Sequence, residues 1–453
     1  MAVIADMIEE IYKTYLQSRT VTTDSRAITP GCLFFAFKGE KFDGNAFAPQ
    51  ALEQGAALCI ISDPQYKVDD RCIVVPDVLA TLQELATHHR RQLSIPVIGI
   101  TGTNGKTTTK ELVNAVLSRR YRTHATQGNF NNHLGVPLTL LSIPANAEIA
   151  IVEMGANHPG EIADLCKIAQ PTHGLITNVG RAHLEGFGSF EGVIQTKTAL
   201  YRHLASVGGT IFVNADNEIL MKQLEELNEP RPTIITYGHD GSCQILNSQF
   251  SILNSTRGHL VGSDPYMKFY IEEGDNVYSI QSQLLGNYNF DNAMAAAAVG
   301  RHFRVELWDI KEAIEQYEPA NKRSQYKETA RNVLFLDCYN ANPSSMKVAL
   351  DNFEALQRDN KVAMLGNMRE LGADSRHEHE AIVQRLLAAN LAQVVLVGPE
   401  FEFAASIKDA PTLLWFPTSD DAKAHFTQHP LNGATILLKG SNGTQMWKLE
   451  EVL

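Results

Sequence analysis

The stretch Ile98–Glu111, Ile-Gly-Ile-Thr-Gly-Thr-Asn-Gly-Lys-Thr-Thr-Thr-Lys-Glu, constrains this chain more than any other. An apolar run from Ile95 to Ile100 reads as a buried strand. A glycine-rich turn follows, then Lys106-Thr107, then Leu112, Val113, Val116 and Leu117 at helical spacing. Strand, glycine loop, Lys-Thr and helix is the order in which a chain builds a polyphosphate cradle. Glycine at 102 and 105 lets backbone N–H groups approach phosphate oxygens closely. The unpaired N–H groups and dipole of the new helix favour an anion at its start. Lys106 adds a compact positive charge, and the Thr107 hydroxyl is suited to the Mg²⁺ that accompanies the phosphates. The strict spacing G-x-x-x-x-G-K-[ST] is not met, because position 100 is Ile100 and the nearest upstream glycine, Gly99, comes one residue early. A turn without a ligand has no use for three threonines after a lysine, since Thr is a poor helix former. The stretch is therefore read as a phosphate loop.

A chain of 453 residues is too long for one core, so two or three domains are expected. The pattern divides it into residues 1–93, 94–316 and 317–453. A net charge of −12 excludes a general binder of nucleic acid or anionic membranes, but leaves room for a local basic pocket. The six cysteines are scattered without a C-x-x-C pair, so neither a zinc knuckle nor a disulfide framework is expected, and a reducing cytoplasm fits. Ile4, Met7, Ile8, Ile11, Tyr15 and Leu16 share one helical face, which describes an amphipathic helix and not a signal peptide or a membrane span.

Residues 1–93 read as a small α/β domain. Thr22–Phe47 is dense in turn residues around a short strand, Leu33–Phe37, and Val78–Leu93 reads as a helix. From residue 94 to 316 strands alternate with helices, which implies a mostly parallel sheet covered on both faces. Ile149–Glu153 ends in a carboxylate and Gly174–Asn178 in an amide. Ligands of open α/β sheets sit beyond the carboxyl ends of the strands, where Thr101, Glu153 and Asn178 fall. Residues 237–285 alternate as β-strands do in Phe250–Leu253, Lys268–Ile271 and Val277–Ile280, a small antiparallel sheet inserted in or appended to the central domain. Val333–Leu336, Val362–Leu365, Val394–Val397, Leu413–Phe416 and Ile436–Leu438 are apolar strands separated by helical stretches, a second doubly wound, Rossmann-like fold. The fold class is thus α/β, in three domains.

Taken singly, the polar candidates carry unequal weight. Glu153, at a strand end near the loop, is a natural Mg²⁺ ligand, the alternative being a capping or solvated carboxylate. His183, just past another strand end, is on its own more often packing than a ligand. Lys197 lies on a helix, where a solvated surface lysine is the plainer reading. Held neutral by burial or neighbouring cations, it could instead add CO₂ to give a carbamate, an anionic oxygen ligand. Asn287–Asn292 opens an alanine-rich helix, as an N-cap cluster or as amides offered to a purine edge. Arg323 suits a γ-phosphate and Asp337 ribose hydroxyls, though each is ordinary alone. Ser25 and Arg26 sit in a turn where such residues are usually solvated.

Together these residues resemble a family. Thr101-Gly102-Thr103-Asn104-Gly105-Lys106-Thr107-Thr108 is similar to the ATP loop of the Mur ligases, cytoplasmic enzymes that build the peptidoglycan stem peptide and whose loop has this shorter spacing. Within that family the chain looks like the ligases that add D-alanyl-D-alanine. The blocks that carry this are Asp24-Ser25-Arg26 with Pro30-Gly31 and Leu33-Phe34-Phe35-Ala36; Gly128-Asn129-Phe130-Asn131-Asn132; and Ala182-His183-Leu184-Glu185 with Phe187-Gly188-Ser189. Two more follow in the last third: Tyr339-Asn340-Ala341-Asn342-Pro343 with Ser345-Met346, and Gly366-Asn367-Met368-Arg369-Glu370-Leu371-Gly372. The Asp-Asn-Pro-Arg signature of the ligase that adds the diamino acid is absent.

The resemblance implies the following roles. Residues 1–93 would hold a UDP-sugar, with Ser25 and Arg26 near the nucleotide and Asn131 and Asn132 also on the substrate. Gly102, Thr103, Asn104, Gly105, Lys106, Thr107 and Thr108 would hold ATP, joined by Asn292 at the adenine and by Arg323 and Asp337 from the third domain. Thr107 would bind one Mg²⁺, and Glu153 and His183 a second, bridged by a CO₂-derived carbamate on Lys197. Lys106, Lys197, His183 and Glu153 would be catalytic. The third domain would close over ATP bound to the second. The implied reaction joins D-Ala-D-Ala to the terminal carboxylate of UDP-N-acetylmuramoyl-tripeptide through an acyl phosphate. A monomer that binds no nucleic acid and enters no membrane is expected. A tripeptide-forming Mur ligase or a folylpolyglutamate synthase would share the ATP core but not Tyr339–Pro343. A non-catalytic nucleotide-binding regulator would keep the loop and lose Glu153, His183 and Lys197. Two positions depart from the family pattern: Tyr288 stands where His is usual, and Asn442 where Arg is common.

Overall fold

The computed structural model describes residues 2–40, 42–182, 184–227, 232–239, 252–274, 276–319, 324–407 and 410–453. His183, Arg323 and the first two residues of the strand expected over Phe250–Leu253 lie outside them. The described residues form three sheets in chain order.

The first has four parallel strands, Val21–Thr22, Leu33–Phe35, Leu58–Ile61 and Cys72–Val74, side by side in sequence order. Leu33, Phe34 and Phe35 are all buried, as a parallel strand covered on both faces requires. Helix Ala2–Ser18 puts Ile8, Ile11, Tyr12 and Tyr15 inside. Tyr15 donates its hydroxyl to the Leu141 carbonyl at 2.8 Å, tying this helix to the central part of the chain. The Tyr12 hydroxyl lies 3.0 Å from Nδ1 of His89, on helix Val78–Gln92.

His89 is 1 % exposed, and its Nε2 is buried without a partner. Burial, reinforced by the charges of Arg19 and His88, pushes its pKa down to about 4. The unfolded chain binds this proton near pH 6.5 and the folded chain only near 4, so the stability contribution is complete above 6.5 and lost as pH falls through 4. Urea unfolding at pH 7 and 4.5 should differ by roughly 2.5 kcal/mol less in His89→Leu than in the unaltered chain. Equal differences would show that His89 is not kept neutral.

The central sheet has nine strands. Their order is Asn276–Leu285, Tyr266–Glu273, Ile252–Ser263, Thr233–His239, Thr210–Asn214, His173–Ile176, Val97–Thr101, Ile149–Glu153 and Thr123–Ala125. The last seven are parallel; Tyr266–Glu273 and Asn276–Leu285 pair antiparallel. The polar stretch therefore extends the parallel sheet at its edge and is not a separate sheet. The strand expected over Ile95–Ile100 runs over Val97–Thr101, wholly buried. It lies between Ile149–Glu153 and His173–Ile176, where the chain's progress across the sheet reverses, the kind of switch point beyond whose carboxyl end ligands of open α/β sheets bind. A Cβ on Gly99 would meet the Met154 methyl at 2.7 Å and Pro171 at 3.2 Å. Gly99 is thus a packing glycine of the strand, which is why its offset from the phosphate-loop spacing is irrelevant.

Two cores flank this sheet. Helices Lys106–Leu117, Asn289–His302 and Leu307–Gln316 cover one face, and the run Ala293–Val299 lets the first two approach closely. Helices Gly135–Leu141, Glu161–Ala169, Phe190–Lys197 and Ala199–Ser206 cover the other, in a core continuous with that of the first sheet.

The third sheet runs Gln325–Glu328, Val333–Asp337, Thr435–Lys439, Lys361–Gly366, Gln393–Val397, Leu413–Phe416. All of the expected strands are present and parallel, and Gln325–Glu328 adds an antiparallel edge that no apolar pattern in the sequence announces. Leu285 is buried in this third core, with Tyr266 packed against it, although both belong to the central sheet. Arg358 seals the joint through Asp264 at 2.8 Å. No helix among the described residues is long and apolar enough to cross a membrane.

Candidate active site

The loop Gly102–Gly105 joins the central strand to helix Lys106–Leu117. At Gly102 (φ +147°) a Cβ would sit 2.0 Å from the Thr177 hydroxyl, and at Gly105 (φ +79°) 2.6 Å from Asn292 Oδ1. Only glycine fits either place. Thr103 N–H donates to the Asn178 carbonyl at 2.9 Å and Asn104 N–H to Asn178 Oδ1 at 3.0 Å. In return the Thr177 hydroxyl and Asn178 Nδ2 donate to the Asn104 carbonyl at 2.6 and 3.1 Å. Asn178, legible from the sequence only as a strand end, is the clamp of the loop. Lys106 Nζ lies over the loop, donating to the carbonyls of Gly102 at 2.8 Å and Thr103 at 2.9 Å. Thr107 and Thr108 follow in the first helical turn, buried and half-buried.

Glu153 ends the neighbouring strand and is 1 % exposed. Its Oε1 accepts from the Thr107 hydroxyl at 3.2 Å and from Asn131 Nδ2 at 2.8 Å. Its Oε2 is buried with no hydrogen-bond partner. Desolvating a carboxylate oxygen without a donor costs several kcal/mol unless something cationic meets it. Asn132 uses its Oδ1 on the N–H groups of Leu134 and Gly135, starting the next helix.

Lys197 ends helix Phe190–Lys197 and is 1 % exposed, so the plainer expectation of a solvated surface lysine is wrong. Val193 and Ile194 precede it by four and three residues on the buried face, a spacing that marks the position as internal. Burial, and next the charge of Lys106, drive its pKa well below the ordinary lysine value, with Glu161 opposing. The amine therefore tends to the neutral, nucleophilic form. Its Nζ sits 5.7 Å from the centre of the Phe187 ring.

Asn292 lies behind the loop. It accepts from the Thr109 hydroxyl at 3.0 Å and donates to Asn289 Oδ1 at 2.8 Å. Asp337 ends the first parallel strand of the third sheet and is paired with Lys439, a buried lysine invisible as its partner in the sequence. Asp337, Tyr288 and Ser324 line a small cavity of about 40 Å³ at the joint of the central and third sheets. The Tyr288 hydroxyl is 2.8 Å from Ser324 Oγ, and burial, then the Asp337 charge, raise its pKa. From the third sheet's side Asn342 donates Nδ2 to Asn104 Oδ1 at 2.9 Å. Arg26 is engaged within its own turn, donating to Asp24 at 2.7 and 2.9 Å and holding that carboxyl down at about 2; Ser25 is half-buried beside it.

Three family models match the chain: "Mur ligase family, catalytic domain" over residues 18–91, "Mur ligase middle domain" over 100–300, and "Mur ligase, glutamate ligase domain" over 322–442. The UDP-N-acetylmuramoyl-tripeptide–D-alanyl-D-alanine ligase of Bacillus subtilis is 33 % identical over 441 residues, 96 % of this chain and 92 % of that one. The Escherichia coli enzyme of the same name is 33 % identical over 434 residues, with the same coverage. Among solved structures, MurF from Acinetobacter baumannii superposes with a TM-score of 0.82 at 31 % identity, over 95 % of this chain and 92 % of that one. MurF from Thermotoga maritima in complex with ADP gives 0.81 at 27 % identity, over 96 % and 97 %.

Proposed function

Because the chain belongs to the Mur ligase family, we propose that it is a monomeric, cytoplasmic, ADP-forming ligase that joins D-alanyl-D-alanine to the terminal carboxylate of UDP-N-acetylmuramoyl-tripeptide. The observation that carries the ATP half of this reading is the unpartnered Oε2 of Glu153, buried beside the Thr107 hydroxyl at the phosphate loop.

Residues 1–93 hold the UDP-sugar, with Ser25 and Arg26 at its nucleotide and Asn131 and Asn132 on the substrate. Residues 94–316 hold ATP on the loop, with Asn292 toward the adenine. Residues 317–453 complete the nucleotide site with Arg323 and Asp337. A hydroxyl, a carboxylate with a free lone pair and a buried amine convertible to an anion fit a hard divalent cation. Thr107, Glu153, His183 and carbamylated Lys197 would hold Mg²⁺, two ions in all. When bound, Mg²⁺ neutralises charge on the phosphoryl oxygens. The carbamate arises when the neutral Lys197 amine adds to CO₂, forming an N–C bond and releasing a proton.

In the reaction a carboxylate oxygen of the tripeptide attacks the γ-phosphorus, the bond to the bridging oxygen breaks, and ADP leaves. Lys106 stabilises the charge spread over the transferring group. The D-Ala-D-Ala amine then attacks the acyl carbon, phosphate departs and the amine loses a proton. No enzyme nucleophile takes part.

ADP release should require UDP-muramoyl-tripeptide and D-Ala-D-Ala together. Release driven instead by the dipeptide precursor and a diamino acid would assign the preceding step of the pathway. No release with any substrate pair would make the chain a nucleotide-binding regulator.

A further inference from the structure

Asn342 does two jobs at once. Its Oδ1 accepts from Ser345 N–H at 2.8 Å while Ser345 Oγ accepts from Asn342 N–H at 3.1 Å, a reciprocal cap on helix Pro343–Ala355. The cap leaves Nδ2 over, and Nδ2 donates to Oδ1 of Asn104 at the apex of the phosphate loop, 238 residues earlier in the chain. Asn342 is 5 % exposed and Asn104 half-buried, so this contact is partly shielded from water. Two residues on, Ser344 Oγ accepts from Arg181 N–H at 3.0 Å, and a Cβ on Gly180 would meet that oxygen at 2.8 Å. Gly180 N–H in turn donates to the Thr103 hydroxyl at 2.9 Å. Two adjacent loop residues, Thr103 and Asn104, are thus linked to the start of one helix of the third sheet, one directly and one through the Gly180-Arg181 turn.

We propose that Asn342 is a positioning residue that latches the C-terminal domain onto the phosphate loop through Asn104, so that the nucleotide-completing groups of that domain are held during phosphoryl transfer. The inference rests on the ligase reading above. The latch acts on closure and not on ATP capture, because the loop's other clamps, Thr177 and Asn178, belong to the central sheet. Its loss therefore lowers kcat more than it raises KM for ATP.

Asn342→Ser separates the two jobs, since Ser caps a helix as well as Asn but is too short to reach Asn104. The melting temperature should stay within about 2 °C, and kcat should fall about 5- to 30-fold, the effect of one partly shielded hydrogen bond. Asn104→Ala combined with Asn342→Ser should be no slower than the slower single variant. Small-angle scattering with a non-hydrolysable ATP analogue should give a larger radius of gyration for Asn342→Ser than for the unaltered chain. Unchanged kcat and scattering, or losses that multiply in the double variant, would overturn the latch. Absence of ADP release from the unaltered chain would count against the ligase reading instead, because scattering reports the latch without turnover.

Discussion

Lys197→Ala is expected to slow ADP formation at least about 10³-fold, the scale of removing a group that organises charge at the reacting phosphoryl, and short carboxylic acids should bring part of it back. The substitution removes a side chain that is almost wholly inside the protein. It leaves a space, and formate or acetate can supply there the anionic oxygens that a carbamate would have offered. The amine is primed for this chemistry because burial and Lys106 both oppose its protonation. Two further results follow. Lys197→Arg should be as inactive as the alanine variant, since a guanidinium stays charged and adds no CO₂. Activity of the unaltered chain should decline as pH falls, because protonation removes the form that binds CO₂. A Lys197→Ala variant with normal turnover would dispose of the carbamate, and an inactive one that no acid rescues would leave Lys197 as a cation.

Glu153→Gln should separate stability from activity. The carboxylate has one oxygen satisfied by Thr107 and Asn131 and one buried with no donor. An amide carries no charge to desolvate, so the folded state should be as stable as before or more so. Turnover should fall about 10²- to 10⁴-fold, and the Mg²⁺ concentration for half-maximal rate should rise at least about tenfold. Thermal melting and a Mg²⁺ titration of the rate read the two effects separately. A variant that melts lower but keeps its Mg²⁺ dependence would make Glu153 a structural residue that only orients Thr107.

What the sequence reveals of this site follows the range of the interactions involved. Strand, glycine loop and helix around residues 97–117 are local, and the apolar spacing exposes them. The strand-end positions of Glu153 and Asn178 follow from alternation of strands with helices. Gln325–Glu328 escapes because Gln-Tyr-Lys-Glu is half exposed and carries a single apolar side chain, so no period marks it. The Lys197 environment escapes because its neighbours, Lys106 among them, come from elsewhere in the chain. Pairings such as Asp337 with Lys439 and Asn104 with Asn342 lie 102 and 238 residues apart, beyond any local pattern. Tyr288 stands out in the sequence only as a departure from the family pattern, and its hydrogen bond to Ser324 across the joint gives the departure a physical setting.

The burial of Leu285 in the third core bears on how such proteins can be recombined. The hairpin Tyr266–Glu273 and Asn276–Leu285, part of the central sheet, lends its open end, the paired Tyr266 and Leu285, to the interior of the following unit. A cut near residue 317 would strip the C-terminal part of a piece of its own filling and leave an oily plug on the other fragment. Chimaeras between related ligases should therefore transplant the open end of the hairpin together with the last third, because the packing seam in this molecule lies upstream of the seam in its backbone.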